Sequence, residues 1–275
     1  MTQAANSAAQ ATSGPVAPPR IDLEGRVAVV TGASRGIGRA IAETLAAAGA
    51  AIVPTARREE TLDELVDNLR AAGRPVHPVA AHAGEPGAGE AIAQEAFAAF
   101  GGVDILVNNA GTCPHFGPVL EADDGLWDKT MDVNVRGAWR AVQACAPSMR
   151  ERGGGVVINI ASIAGLIPQP GVGLYCLSKA ALVMLGRVLA AELAADGIRV
   201  HTVAPGFVRT RFSRALWSDD AERERTLADI PQRRIGSPQE IANAVAFLAS
   251  DLTPFATGDV LVIDGGQMVA AGQLP

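Results

Sequence analysis

Three residues in the middle of the chain have the side-chain types and the spacing of an acid–base site. Tyr175 is the only tyrosine, and Lys179 follows at the i+4 position, so the two share one face of any helix that contains them. A phenol with a pKa of about 10 is a poor base at neutral pH, but a neighbouring ammonium favours the phenolate and lowers that pKa. Alone, the pair is typical of an exposed helix. Ser162, placed after an apolar run, adds a hydroxyl that can reach a carbonyl oxygen, so the three together predict proton transfer at a carbonyl or hydroxyl group.

A glycine-rich segment near the N-terminus predicts a phosphate-binding loop. Residues 31–38 read T-G-A-S-R-G-I-G and stand between an apolar strand-like run and a stretch with helical periodicity. Glycines there permit a tight turn and a close approach of the backbone to a pyrophosphate, which a helix N-terminus attracts through its N–H groups and partial positive charge. The simpler interpretation is a turn, but the order strand, glycines, helix favours a dinucleotide site. The predicted contacts are Gly32, Ser34, Arg35, Gly36, Ile37 and Gly38.

The residues after the second strand-like run predict which dinucleotide is bound. An NAD site places a carboxylate about 20 residues past the glycines, where it accepts a hydrogen bond from the ribose 2′-hydroxyl. Here Arg57 and Arg58 follow the run, and the first carboxylate is Glu59. These two arginines and Arg35 can instead hold a 2′-phosphate by charge-assisted hydrogen bonds, although Arg57 and Arg58 are also compatible with a solvated helix start. We therefore expect NADP(H) to be preferred over NAD(H).

Apolar strand-like runs alternate with amphipathic stretches along the whole chain, which predicts an α/β fold with a parallel sheet covered by helices on both faces. Right-handed crossovers give a doubly wound sheet with its ligands at the carboxyl ends of the strands. The predicted strands are Val27–Thr31, Ala51–Thr55, Val76–Ala80, Ile105–Val107, Val156–Ile160, Arg199–Val203 and Val260–Ile263. The predicted helices are Arg35–Ala48, Glu59–Ala71, Glu90–Phe100, Leu126–Glu151, Tyr175–Ala195 and Gln239–Ala249.

Composition argues against several other classes of protein. A chain of 275 residues, 48% of them hydrophobic, can bury a core without disulfides or metal, and no metal site is predicted. The formal charge of −6 argues against nucleic-acid binding, and three cysteines without a CxxC pair indicate a reducing compartment. The longest charge-free stretch, Gly153–Ser178, is interrupted by glycines and prolines, so no membrane span is expected. Residues 1–20 are predicted to be a disordered tail without a secretory signal, followed by one domain over residues 21–275.

In this order the motifs resemble those of the short-chain dehydrogenases/reductases, over nearly the whole chain from Leu23 to Gly266. The motifs that carry the resemblance are Thr31-Gly32-x-x-x-Gly36-x-Gly38, Asn108-Asn109-Ala110-Gly111, Asn134, Ser162, Tyr175-x-x-x-Lys179, Pro205-Gly206 and Ile263-Asp264-Gly265-Gly266. The resemblance implies that the single domain has the doubly wound Rossmann fold. It also implies hydride transfer between a nicotinamide cofactor and a small carbonyl or alcohol substrate.

The resemblance also implies a role for each matching residue. Tyr175 would be the general acid/base, Ser162 would position the substrate oxygen, and Lys179 would hold the nicotinamide ribose and lower the pKa of Tyr175. Asn134 would anchor a water in a proton relay. The cofactor would further be lined by Asn108, Ala110, Gly111, Pro205, Gly206, Val208 and Thr210. Many family members carry an aspartate beside the adenine where this chain has His82, so a contact of His82 with adenine and no role at all both stay open.

The segment Phe207–Trp217 resembles the NADP(H)-dependent retinol dehydrogenase/carbonyl reductase branch of the family. Its Phe207, Phe212, Leu216 and Trp217 suggest an apolar substrate, with the alternative that they only pack the lid onto the sheet. Animal members of the branch end in a peroxisomal signal, whereas this chain ends in Gln273-Leu274-Pro275. The peroxisomal location of those members is therefore not expected here, and the cysteine usage favours the cytoplasm.

Two other functions compete with carbonyl reduction and alcohol oxidation. A 3-oxoacyl carrier-protein reductase would dock an acidic carrier, for which Arg152 is suited and Asp196 is repulsive. A regulatory protein that only senses the nucleotide would not need Asn134, Ser162 and the Tyr175–Lys179 pair together. The apolar excess of the two long helices predicts a helix-packed interface, which with the family resemblance suggests a homotetramer.

Overall fold

The computed structural model describes residues 20–213 and 219–270, so of the tail predicted over residues 1–20 only Arg20 is described. The strands are β1 (Val27–Thr31), β2 (Ala51–Ala56), β3 (Val79–Ala80), β4 (Ile105–Asn108), β5 (Gly155–Ile160), β6 (Ile198–Pro205) and β7 (Val260–Ile263). They form one sheet in the order β3-β2-β1-β4-β5-β6-β7, and every pairing is parallel. The predicted doubly wound parallel sheet is confirmed.

Helices cover both faces of the sheet, as the alternation of the sequence requires. They are α1 (Gly36–Ala47), α2 (Asp63–Ala71), α3 (Ala88–Phe100), α4 (Asp124–Met131), α5 (Gly137–Glu151), α6 (Gly173–Leu193), α7 (Asp220–Ala228), α8 (Pro238–Ala249) and α9 (Gln267–Ala270). Along β1, Ala28 and Val30 pack with α1, α2 and α8, whereas Val27 and Val29 pack with α3, α5 and α6. Because successive strand side chains point to opposite faces, β1 is buried on both sides.

The third strand is shorter than the sequence predicts. Val76 makes only an isolated bridge to Ile52, and the continuous pairing with β2 is limited to Val79 and Ala80. In this register the N–H groups of Ile52 and His77 link the two strands, but Pro54 on β2 has no N–H to donate to the third strand, so the ladder is interrupted there. Two of the other boundaries that differ are at helices: Glu59–Leu62 is a 3₁₀ turn that precedes α2, and α3 begins at Ala88. Helices α7 and α9 were not predicted.

The helix predicted over Leu126–Glu151 is divided by a π-helical turn. Helix α4 ends at Met131, the π turn spans Asp132–Arg136, and α5 begins at Gly137. A Cβ at Gly137 would overlap the main-chain carbonyl of Ala83, so glycine allows this corner to approach the loop after β3. Single π turns within helices occur frequently at functional sites, and this one contains Asn134.

One helix has the length and apolar composition of a membrane-spanning helix. Among the described residues Gly173–Asp196, which is α6 and the turn after it, has the length and composition to cross a bilayer, with a mean hydropathy of 1.6. The same helix places Leu182, Val183 and Leu189 in the core against the sheet and carries Tyr175 and Lys179. Packing therefore accounts for one apolar side of α6.

Candidate active site

The candidate site lies where the strand order reverses. Strand β1 pairs with β2 on one side and with β4 on the other, so the chains leaving β1 and β4 depart in opposite directions. This divergence opens a crevice at the carboxyl edge of a doubly wound sheet. The glycine-rich loop after Thr31 and the Asn108–Gly111 segment border that crevice.

The glycine-rich loop fits a pyrophosphate. Gly32 and Gly36 have φ values of +67° and +59°, a region that favours glycine. Helix α1 begins at Gly36, receives no side-chain cap from Arg35 and has no acidic residue in its first turn. Its N-terminal N–H groups and positive dipole end therefore suit an anion. A Cβ at Gly38 would overlap the carbonyl oxygen of Gly32, so the close packing of helix and loop depends on this glycine as well.

Two side chains that the sequence analysis did not assign to the site fix the geometry of this loop. The Thr31 hydroxyl accepts hydrogen bonds from the main-chain N–H groups of Asn109 and Ala110, both at 3.0 Å. The Asn109 amide donates to the carbonyls of Thr31 at 2.8 Å and of Gly32 at 3.1 Å. These bonds join the end of β4 to the loop after β1. The signal for them was their place inside the T-G and N-N-A-G motifs.

Asn108 occupies a different environment from the one expected. Its side chain is buried, and its amide donates to Asn159 Oδ1 on β5 at 3.0 Å and to the Ala138 carbonyl on α5 at 3.5 Å. The side chain is thus used in the core, and only the main chain of Asn108 can line a cofactor. Gly111 lies at the site itself, because a Cβ there would be 3.5 Å from Lys179 Nζ and 3.6 Å from Asn134 Oδ1.

The structure brings Tyr175, Ser162 and Lys179 together at the carboxyl end of β5. Tyr175 is half-buried in the first turn of α6, and Ser162 lies close enough to the phenol to lower its pKa. Ser162 follows β5, and its hydroxyl accepts from the Ala164 N–H at 3.1 Å. One helical turn after Tyr175, the buried Lys179 donates from Nζ to the carbonyl of Ile160 at 2.8 Å, and Nζ is 5.6 Å from the centre of the tyrosine ring.

The expected lowering of the Tyr175 pKa is wrong for the chain by itself. Burial raises the pKa of Tyr175, against the smaller opposing effect of the nearby Ser162 hydroxyl. The ammonium of Lys179 is directed to the Ile160 carbonyl, and burial lowers the pKa of Lys179 to about 8. Desolvation disfavours the charged form of each group, which explains both directions. At neutral pH Tyr175 keeps its proton and suits a proton donor.

Asn134 joins the π turn to two other elements of the site. Its side-chain amide donates to the Thr112 carbonyl at 2.8 Å and to Ser178 Oγ at 2.9 Å, while Oδ1 accepts from the Thr112 N–H at 2.7 Å. Both amide hydrogens are used, and one lone pair of Oδ1 is left for a water. Asn134 thereby ties the loop after β4 to α6, next to Tyr175 and Lys179.

The segment after β6 covers the crevice. Gly206 follows β6 and donates its N–H to the Ile263 carbonyl at 2.9 Å, which holds Pro205 and Gly206 at the carboxyl edge. Val208 is buried, and the Thr210 methyl group lies 3.3 Å from the position of a Cβ at Gly36. Thr210 therefore borders the glycine-rich loop, and the lining of a cofactor by Pro205, Gly206, Val208 and Thr210 stays a prediction.

One aromatic residue of the segment approaches the acid–base residues. The ring centroid of Phe212 is 5.9 Å from that of Tyr175, with the planes inclined by 42°, although Phe212 is 60% exposed. Phe207 is half-buried. Leu216 and Trp217, which were expected to take part in the lid, lie outside the described residues.

Exposed arginines stand where a 2′-phosphate is expected. Arg35 in the glycine-rich loop and Arg57 after β2 follow neighbouring strands, and neither has an ion-pair partner within the described residues. Arg58 differs, since its Nε is 3.6 Å from Glu60 Oε1. Ser34 is half-buried in the same loop. The residues present therefore fit a dinucleotide with an additional phosphate.

His82 lies in the loop between β3 and α3. It is half-buried, and its Nδ1 accepts from the Gly84 N–H at 3.3 Å. The His82 ring and the Val133 side chain flank the same point, at 3.3 and 3.0 Å from a Cβ at Gly84. The contact with adenine stays a prediction.

Over residues 20–213 and 219–270, no group of three or more His, Cys, Asp or Glu side chains is arranged to hold a metal ion.

Arg152 and Asp196, which were considered for docking of an acidic carrier, lie far from the carboxyl edge of the sheet. Arg152 donates to Asp104, which directly precedes β4, at 2.8 and 2.9 Å. Asp196 precedes β6 and accepts from Arg150 at 2.6 Å. Both pairs lie at the amino ends of the strands, whereas Tyr175 lies at the carboxyl ends. The charges of Arg152 and Asp196 therefore do not bear on a carrier at the mouth of the crevice.

Known proteins resemble this chain over nearly its whole length. A family model described as enoyl-(acyl carrier protein) reductase matches residues 32–268. Dehydrogenase/reductase SDR family member 4 of Oryctolagus cuniculus is 42% identical over 247 residues, which are 90% of this chain and 95% of that protein.

Solved structures agree with the sequence relatives. A chain from Sinorhizobium meliloti described as a short-chain alcohol dehydrogenase superposes with a TM-score of 0.87 at 38% identity, covering 91% of this chain and 99% of that one. A chain from Beutenbergia cavernae, described as an NAD(P)-dependent gluconate 5-dehydrogenase with NADP bound at low occupancy, gives a TM-score of 0.85 at 36% identity, covering 90% and 99%.

Proposed function

The chain belongs to the short-chain dehydrogenase/reductase family of oxidoreductases, and we propose that it is an NADP(H)-dependent carbonyl reductase for small apolar substrates that also oxidises the matching secondary alcohols. Hydride transfer on carbonyl and alcohol groups follows from the family. The cofactor preference, the substrate class and the role of each residue are the proposal. The observation that carries it is the convergence of Tyr175, Ser162 and Lys179 at the carboxyl end of β5, beside the glycine-rich loop.

The acid–base step is assigned to Tyr175. A nicotinamide dinucleotide bound in the crevice supplies the hydride for carbonyl reduction. As negative charge develops on the substrate oxygen, the Tyr175 hydroxyl gives up its proton to it, and the Ser162 hydroxyl donates a hydrogen bond to the same oxygen. The raised pKa of Tyr175 favours this direction, because the phenol is protonated at neutral pH before the reaction.

Lys179 and Asn134 are assigned to support this step. Nζ of Lys179 donates to the Ile160 carbonyl and has further N–H groups to offer to a ribose hydroxyl. Gly111 leaves the space between Lys179 Nζ and Asn134 Oδ1 open. A water bound at the remaining lone pair of Asn134 Oδ1 would link the lysine to solvent, and a proton could then return to Tyr175 after each turnover.

Preference for NADP(H) is proposed from the two exposed arginines. Arg35 and Arg57 have no ion-pair partner within the described part of the chain, so a 2′-phosphate would not have to displace a carboxylate from either of them. Charge-assisted contacts between guanidinium and phosphate are among the stronger hydrogen bonds. NADP bound in the Beutenbergia cavernae structure supports the proposal.

An apolar substrate is proposed from the surroundings of Tyr175. Phe212 contacts its ring, and the half-buried side chains of Cys113 and Cys176 also lie near the phenol. A charged substrate would lose its hydration there without gaining a partner among these groups.

A homotetramer is proposed from apolar side chains that the single chain leaves exposed. Met184 is 55% exposed and Val188 is 44% exposed on α6, and Trp139 on α5 is also 44% exposed. Helix surfaces of this kind commonly pack against a second copy. Light scattering at micromolar concentration tests the assembly, and a monomer mass would contradict it.

A cytoplasmic location is proposed from the three unpaired cysteines, and neither nucleic acid nor a membrane is a proposed partner.

The function is tested by following NADPH absorbance with a panel of free ketones and aldehydes. The panel includes one 3-oxoacyl chain that is tethered to a carrier protein. We expect turnover of untethered apolar carbonyls. Faster turnover of the tethered substrate than of every free one would replace the proposal with a carrier-protein reductase. Tight NADPH binding without turnover of any substrate would leave a regulatory nucleotide-binding protein.

A further inference from the structure

Tyr175 has two thiol neighbours that the proposed mechanism does not use. Cys113 lies in the loop after β4, and Cys176 follows Tyr175 on α6. Both are half-buried and unpaired. The Cys113 Sγ donates to the His115 carbonyl at 3.7 Å, and the Cys176 Sγ donates to the Gln169 carbonyl at 3.7 Å. Each thiol is therefore hydrogen-bonded to a main-chain carbonyl of a neighbouring loop.

The two thiol-bearing segments are in direct contact. The Gly117 N–H donates to the Gly171 carbonyl at 2.8 Å, and Gly117 and Val172 form an isolated parallel bridge. A Cβ at Gly173 would be 2.8 Å from the Cβ of Val119, so the first turn of α6 is packed tightly against the loop after β4. The Cys176 N–H donates to the Val172 carbonyl at 3.0 Å. The segments carrying Cys113 and Cys176 form one wall beside Tyr175.

The three side chains also influence one another electrostatically. Burial, with a further contribution from Cys176, raises the pKa of Cys113 to about 11. Both thiols contribute to raising the pKa of Tyr175. Cys113 is therefore protonated at neutral pH, which slows its reaction with a peroxide.

We propose that Cys113 and Cys176 are an oxidant-sensitive thiol pair whose disulfide closes the substrate side of Tyr175. The proposal rests on the proposed carbonyl reductase function, because it assigns regulation to that site. The oxidant class is a peroxide. One thiolate, formed by loss of its proton to solvent, attacks the O–O bond, so an S–O bond forms and the departing hydroxide takes up a proton to become water. The other thiol then attacks this sulfenic sulfur, the S–S bond forms, and the hydroxyl group leaves as a second water. Two thiols are oxidised and one peroxide is reduced.

A disulfide changes the wall but not the phosphate loop. Its geometry holds the two Cβ atoms about 3.8 Å apart, which fixes the loop after β4 against the first turn of α6. Tyr175 lies in that turn, so access of a carbonyl to the phenol is restricted. The glycine-rich loop after β1 carries neither thiol. We therefore expect loss of turnover with retained NADPH binding.

The experiment treats the reduced full-length protein with hydrogen peroxide and maps its thiols under denaturing, non-reducing conditions. We expect one peptide pair linked through Cys113 and Cys176 and at least a tenfold loss of kcat/KM that dithiothreitol reverses. Cys145 is the internal control, because it is fully buried and burial raises its pKa to about 12. It is expected to stay reduced, and Cys145→Ala is expected to be inactivated like the wild type.

Cys113→Ser and Cys176→Ser, each compared with its own untreated rate, are expected to resist peroxide. Failure to find the Cys113–Cys176 link would overturn the proposal, as would a link that leaves kcat/KM unchanged. Equal inactivation of both serine variants would also overturn it. Thiol mapping and NADPH titration need no substrate. If no carbonyl is turned over, the proposed function fails, while the presence or absence of the link still decides whether the thiols pair.

Discussion

The ammonium of Lys179 donates a 2.8 Å hydrogen bond to the main-chain carbonyl of Ile160, the last residue of β5. The strand that leads to Ser162 therefore also holds the lysine, independently of any cofactor. Since Lys179 follows Tyr175 by one helical turn, this bond sets the position of the first turn of α6 relative to the end of β5.

Tyr175→Phe is expected to lower kcat by ~10²–10⁴, the usual contribution of general acid–base catalysis, because the substrate oxygen loses its proton donor. The ring and its contact with Phe212 are kept, so NADPH binding is expected to be unchanged. Steady-state kinetics and NADPH titration check both parts. The assignment of the donor is wrong if this variant reduces its best carbonyl at a rate near that of the wild type.

The two directions of the reaction are expected to respond differently to pH. Reduction needs the protonated phenol, and burial raises the pKa of Tyr175, so reduction should persist through neutral pH. Alcohol oxidation needs the phenolate in the same place and should still be rising at about pH 9. Rate profiles for both directions at saturating cofactor measure this. An oxidation rate that is already constant below neutral pH would contradict the raised pKa.

Lys179→Met is expected to change how stability depends on pH. Burial lowers the pKa of Lys179 from 10.5 to about 8, so between these values the folded state has lost a proton that the unfolded state keeps. The free energy of unfolding of the wild type should then rise with pH relative to the variant, by on the order of 2 kcal/mol. Denaturant unfolding at pH 8 and pH 10 makes the comparison. Parallel changes in the two proteins would show that Lys179 titrates normally.

Arg57→Ala and Arg35→Ala are each expected to reduce the NADPH preference over NADH about tenfold, since a hydrogen bond to a charged group contributes ~1.5–3 kcal/mol. Arg58→Ala is the matched control, because Arg58 already has Glu60 as a partner at 3.6 Å. The measurement is kcat/KM with both cofactors. If Arg58→Ala has the largest effect of the three, the 2′-phosphate site is misplaced.

Asn109→Ala is expected to weaken NADPH binding with little change of kcat at saturation. The substitution removes the donors to the Thr31 and Gly32 carbonyls, which fix the loop that receives the pyrophosphate. Titration of NADPH and kinetics at saturating cofactor separate the two effects. A loss confined to kcat would instead place Asn109 among the acid–base residues.

The sequence by itself determined the sheet, most of the helices and the order of the motifs. Local patterns suffice for these, because apolar runs and helical periodicity are set by the backbone and by which faces must be buried. The i,i+4 spacing likewise placed Tyr175 and Lys179 on one helix face, and the glycines at Gly32 and Gly36 adopt the positive φ angles of a tight loop. The π turn around Asn134 has no such local signal and was missed.

The tertiary structure alone decided which partner each polar group meets and how much water it loses. Asn108 binds Asn159 in the core, and Asn134 binds Ser178 on α6, although each pair is far apart in the sequence. The direction of the Tyr175 pKa shift was mispredicted for the same reason. The lysine four residues away is a local feature, but the desolvation that dominates the pKa comes from segments that only folding brings around the phenol.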